Sequence, residues 1–177
     1  MSKWCLLIVL INSTNCFSQA PPIGEVRWLY EKAATEEQYC RKLLHLLQPF
    51  NEENEPLLAG YKASAQMMMA NYVVNPFTKL SYFSKGRKLL EKTIAASGAN
   101  TELRFLRFAV QTNIPSFLGY SGSIKTDKAF LIQSVSQIKD ATLKLWIISY
   151  LHTSDLVTEG EKKSLTEAAG NNRPVIL

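Results

Sequence analysis

The sequence predicts a single all-α domain built from antiparallel helical hairpins joined by short loops, and three observations predict it. Apolar residues recur at the helical spacing of about 3.6 through nearly every segment between turn signals. Helix starts are written as a capping residue followed by proline, or by an acid three positions on, at Asn54-Glu55-Pro56, Asn75-Pro76 and Thr158 with Glu161. Strand signals are missing: no run alternates β-branched and polar residues, and no Asn-Gly or Asp-Gly pair occurs.

At about 100° per residue, Val26, Leu29, Ala33, Cys40, Leu43, Leu44 and Leu47 fall on one stripe, which predicts a helix from about Gly24 to Gln48. A break at Thr35 is the alternative, because Thr35 and Gln38 have capping-box spacing. Either way Cys40 belongs to the core and His45 to the solvent face. After the polar loop Pro49 to Asn54, a second helix is expected from Glu55 to about Val73. Leu57, Leu58, Tyr61, Ala65, Met68, Met69 and Tyr72 make its broad apolar face, and Ala59, Gly60, Ala63, Ser64 and Ala70 form a face of small residues that lets a neighbour come close. Met67, Met68 and Met69 point to three sides of that helix, which is a packing pattern rather than a thioether metal site.

Asn75-Pro76 starts a helix to Ser97 that buries Tyr82, Phe83, Gly86, Leu89, Leu90 and Ile94 and turns Lys85, Lys88 and Lys92 outward. Asn100 or Thr101 caps the next, Glu102 to about Asn113, whose Leu103, Phe105, Leu106, Phe108, Ala109 and Val110 leave only the stripe Arg104, Arg107 and Gln111. That stripe is either a narrow solvent window or the floor of a groove for an anion or carboxylate. Ile114 to Ser123 is turn-rich, with a short helical turn after Pro115. Thr126 or Asp127 starts a helix to about Ile138, Asp140 caps Ala141 to Thr153, and the capping box of Thr158 and Glu161 opens a last helix to about Ala169, stopped by Gly170. Asn172 to Leu177 is a tail whose last three apolar residues can dock.

The first twenty residues read as an export signal: Lys3, the apolar run Trp4 to Ile11, and the small residues of Ser18-Gln19-Ala20. A run of eight apolar residues is too short for a hydrocarbon core that needs about 20. The expected organisation is a signal over 1–20, a helical domain over 21–171 and a tail over 172–177, in an exported protein, periplasmic or secreted. Removal of the signal would lower the formal charge of +5 to about +4. It would also leave Cys40 as a solitary thiol with no disulfide partner. This modest basic excess is no nucleic-acid signature.

From Gly86, the segment Gly-Arg-Lys-Leu-Leu-Glu-Lys-Thr-Ile-Ala-Ala-Ser-Gly-Ala-Asn resembles the second helix of a tetratricopeptide repeat, with small Gly86 and Thr93 seven apart and bulky Leu90 between them. Gly98 stands where that family favours proline, and Asn75-Pro76 interrupts the first-helix signature, so the likeness covers about half a repeat.

No catalytic or metal-binding constellation is visible. Cys40 and His45 lie about 140° apart around a helix. The loop Gly119-Tyr120-Ser121-Gly122-Ser123 lacks the second glycine and the preceding strand of a nucleophile elbow, which leaves Ser121 with His152 as a distant base. Glu52, Glu53, Glu55 and Asp155 are available acids whose pairing sequence does not reveal. The expectation is therefore an exported interaction or scaffold protein without cofactor, catalytic residues or metal. It binds a protein or peptide in a groove edged by Arg104, Arg107, Gln111 and Tyr120, and no nucleic acid. The alternatives are an apolar small-ligand or lipid carrier, with an enclosed pocket of several hundred cubic ångströms between the Met-rich helix and the two apolar helices over 102–113 and 141–153, and an exported hydrolase.

Overall fold

The computed structural model describes residues 19–170; the expected export signal, apart from its last two residues, and the expected tail lie outside them. Eight α-helices and two 3-10 turns make up the described residues, with no strand among them. The helices are α1 (Ile23–Ala33), α2 (Glu37–Leu46), α3 (Pro56–Met69), α4 (Pro76–Ser97), α5 (Thr101–Asn113), α6 (Ile124–Ser134), α7 (Ala141–Thr153) and α8 (Glu159–Ala169). The 3-10 turns are Ser116–Leu118 and Val135–Gln137. Consecutive helices pack in pairs, α1 with α2, α3 with α4, α5 with α6 and α7 with α8. No helix among the described residues is long and apolar enough to cross a membrane.

Four helices with local start signals are capped where those signals stand; α3 begins at Pro56 as expected, but its N-cap is Glu55 without a side-chain bond, and the Asn54 side chain accepts from the Asn51 N–H instead. Asn75 accepts from the backbone N–H of Phe77 and Thr78, Asn100 from Leu103, and Asp140 from Leu143. Thr158 and Glu161 exchange both bonds of a capping box. These contacts satisfy N–H groups that the first helical turn leaves without partners.

The single helix expected over Gly24 to Gln48 is instead two, divided at residues 34–36, where the alternative reading places a break at Thr35. The hydroxyl of Tyr72 donates to the Ala33 carbonyl at 2.7 Å, the oxygen that a continuous helix would offer to the N–H of residue 37. The capping box read at Thr35 and Gln38 does not form: Thr35 bonds back to the Lys32 carbonyl, and extended Glu36 is the N-cap, without a side-chain bond. The break folds α2 against α1, and Leu29, Cys40 and Leu43 meet in one core. Cys40 is fully buried and donates to the Ala65 carbonyl at 3.3 Å; burial pushes its thiol pKa up to about 11. His45 is exposed.

The small-residue face of α3 does what its composition predicts and admits two neighbours. Gly60 lies under Leu103 of α5, and further along the helix Ala63 and Met67 meet Gly86 of α4. A Cβ at Gly86 would fall 2.5 Å from the Ala63 carbonyl oxygen and 2.7 Å from Met67 Cγ. The core divides into two clusters joined by α5. Leu103, Leu106 and Val110 face the helices before it, while Phe105 and Phe108 face Leu131, Ile147, Ile148, Leu151 and Leu165.

The close approach at Gly86 carries a stability prediction. Gly86→Ala must push backbone away from backbone, so it should destabilise by about 1–3 kcal/mol in urea unfolding, although alanine is the better helix former. Gly24→Ala, with open space around it, should be neutral or slightly stabilising, and equal effects at the two sites would refute the packing account.

Candidate functional site

Charge inside the fold converges on α5 at two points. At its first turn Glu102 receives Arg27 of α1 in a two-pronged pair, Nε to Oε1 at 2.8 Å and Nη2 to Oε2 at 2.9 Å. The same guanidinium donates to Asp140, the N-cap of α7, at 2.7 Å, and the Tyr61 hydroxyl of α3 also donates to Glu102. Those carboxylates hold the Arg27 pKa well above its ordinary value, with Glu102 contributing most. Four helices are thereby tied at one buried node.

The second point holds the residues that sequence singles out as a groove edge. Arg107 clasps the wholly buried Asp127 of α6, Nε to Oδ2 at 2.7 Å and Nη2 to Oδ1 at 2.9 Å, and reaches Glu91 of α4 at 2.8 Å. Arg104 lies 3.3 Å from the same Asp127 carboxylate and stacks over Phe130 at 4.3 Å. Tyr120 is buried, donates to Glu91 and meets Phe83 edge-on. Gln111 is buried, with its carbonyl oxygen unpartnered. Arg104, Arg107 and Tyr120 do come together, around carboxylates supplied by this chain. Asp127, read from sequence as a helix start, sits in the first turn of a helix that begins at Ile124 and is the anion of the cluster.

A different site lies where the carrier alternative places its cavity, between the methionine-rich α3 and the two most apolar helices, α5 and α7. A cleft of about 840 Å³ opens between the first turns of α4 and the bodies of α1, α5 and α7, inside the size range typical of small-ligand sites. Tyr30, Trp146, Phe105 and Tyr150 form an aromatic wall, each ring edge-on to the next with centroids 6.0, 4.8 and 5.4 Å apart. Met67, Met68, Ala109 and Val110 continue the apolar lining, and Leu80, Phe83, Phe117 and Leu118 face them. Polar groups are few. Glu31, Asn71 and Lys79 stand at the lining's exposed positions, and at the far end Tyr150 Oη is tied by Asn113 and Thr112 at 2.6 and 2.8 Å.

Leu80 and Phe117 line the cleft at exposed positions, and Val74 and Phe77 are exposed just before and at the start of α4. Phe77 and Phe117 are 82% and 84% exposed, Val74 is 94% and Leu80 57%, a local concentration that isolated surface residues do not produce. Comparison with known proteins gives no matching family model, no matching curated protein and no matching solved structure. The functional reading therefore rests on this geometry. Elsewhere, His152 hydrogen-bonds Thr166 and Lys92 pairs with Glu52. Among the described residues no cluster of three metal-ligating side chains occurs.

Two predictions come from the charged clusters. Asp127→Ala leaves Arg107 buried against a missing partner and should cost about 3–5 kcal/mol, whereas Arg104→Ala should cost roughly 1 kcal/mol; chemical denaturation giving equal losses would contradict the assigned roles. Acid sensitivity is the second. The Leu143 N–H and then Arg27 hold Asp140 below its ordinary 3.8, and the Thr158 N–H and then Lys128 hold Glu161 below 4.5. Stability from such depressed carboxylates is complete above the ordinary values and is lost as pH falls through the depressed ones. The urea midpoint should therefore drop below pH 4.5, and Glu161→Gln, weaker at neutral pH, should lose less over that window. Parallel losses in the two proteins would contradict this.

Proposed function

We propose that this protein binds an apolar small molecule or lipid in the cleft between α4 and the aromatic wall of α1, α5 and α7. The observation that supports it is the cleft itself: about 840 Å³ of space lined mainly by aromatic, methionine and aliphatic side chains. Water in such a hollow finds few hydrogen-bond partners, so an apolar ligand gains by displacing it. Polar groups at the rim and at Tyr150 would orient the ligand, and the aromatic and methionine surfaces would supply contact area without demanding one shape. The localisation proposed with it is export, and the ligand would then be met outside the cytoplasm.

A second reading is favoured by these exposed apolar side chains. Phe77, Phe117, Leu80 and Val74 offer a surface that a protein or peptide partner could cover, as in an interaction protein of helical pairs with tetratricopeptide-like packing. The close contact of α3 with α4 at Gly86 is compatible with such pairing.

Calorimetric titration with dodecanol separates the two. Ligand binding predicts saturable one-to-one uptake with a negative heat-capacity change, the mark of apolar burial. Leu80→Asp, at a half-exposed position on the lining, should weaken it about tenfold or more without lowering the melting temperature. Absence of uptake by the wild-type chain would remove the ligand reading.

A further inference from the structure

A smaller hollow of about 350 Å³ adjoins the main cleft, and Leu80, Phe83 and Leu118 line both. These three side chains form a neck. Beyond it the apolar lining gives way to Ser84, Arg87, Lys88 and Glu91. The guanidinium of Arg87 is held over the Tyr120 ring, 4.8 Å from its centroid, which fixes a cation at the edge of the hollow. Lys88 follows it on the same helix. The one acid there is committed elsewhere: Glu91 accepts from Arg107 through one oxygen and from Tyr120 through the other. Neither Arg87 nor Lys88 has a carboxylate within ion-pair distance among the described residues.

We propose that the ligand is a single-chain amphiphile with an anionic head, its chain in the aromatic cleft and its head beyond the neck against Arg87 and Lys88. This rests on the ligand reading above and adds the charge and direction of the ligand. Charge complementarity carries it. The apolar lining that the two hollows share leads to two cations without acid partners among the described residues and to an acid already bonded by its neighbours. A planar guanidinium pairs with carboxylate or phosphate through two N–H groups, and Ser84 can add a hydroxyl donor. Lys79 lines the main cleft and not the smaller hollow, so it takes no part in the head site.

Three ligands of one chain length test this on the full chain by calorimetry: dodecanoate, dodecanol and dodecylammonium, with dodecyl phosphate to tell a carboxylate source from a phosphate source. Dodecanoate or dodecyl phosphate should bind about tenfold tighter than dodecanol, and dodecylammonium weaker than either. The exposed pair Arg87→Ala and Lys88→Ala together should abolish that preference and leave dodecanol affinity unchanged, whereas Lys79→Ala should preserve it. Each methylene removed from the chain should weaken binding about fourfold, as for a chain buried away from water. Dodecanol binding as tightly as both anions would overturn the head-site proposal while leaving the ligand reading standing. So would a preference that survives in the double variant. Uptake of none of the four would overturn both.

Discussion

Helix α5 is enclosed on nearly all sides yet carries Glu102, Arg104 and Arg107, and the need to neutralise those charges inside the protein governs how the other helices stand around it. Removing a charge from water costs several kcal/mol unless a partner meets it in good geometry. Glu102 is met by Arg27 and Tyr61, and Arg107 by Asp127 and Glu91. These partners come from α1, α3, α6 and α4, and Arg27 continues to the cap of α7. Such pairs add little net stability over an apolar core, but a displaced one is costly, so they specify position. Small residues do the complementary work. Gly60 and Gly86 let α3 approach α5 and α4 so closely that little sliding is tolerated.

The cleft is a consequence of that framework. The second half of α4 is fixed by Gly86, Leu90 and the Glu91–Arg107 pair, while its first turn projects past the core and exposes Phe77 and Leu80. On the opposite side, α1 and α7 are tied to the start of α5 by Arg27, which sets Tyr30 and Trp146 edge-on to each other as a wall. Space remains because the walls are anchored at points outside it: neither charged cluster lies on the lining. The result is an apolar hollow with rigid sides, which suits ligand binding better than a gap that closes when empty.

Much of the fold is legible in the sequence, because caps and apolar periodicity are local signals. The starts of α4, α5, α7 and α8 follow from Asn75, Asn100, Asp140 and the Thr158–Glu161 box, each of which acts within three residues of itself. The division of α1 from α2 is only partly local. The Thr35 and Gln38 spacing marks the place of the break, but the bond that holds the freed carbonyl comes from Tyr72, 39 residues away. The candidate site was harder for the same reason. Arg104, Arg107 and Gln111 stand out as polar residues on an apolar helix, but their anion is Asp127, whose place near a helix start gives it an ordinary explanation as a cap. The cleft draws its lining from separate helices and the turn after Pro115, so no contiguous motif contains it. Its trace in the sequence is the methionine run of α3 beside the nearly all-apolar α5 and α7, the helices between which a carrier's cavity is expected.

The central claim is that apolar matter enters the cleft and leaves the adjacent core undisturbed. Methyl NMR on methionine-labelled protein tests it most directly, since Met67 and Met68 line the cleft while neighbouring Met69 is buried in the core outside it. Titration with dodecanol should shift the Met67 and Met68 methyl resonances to saturation and leave Met69 nearly in place. Unmoved Met67 and Met68 signals, or an equal displacement of all three, would contradict the account.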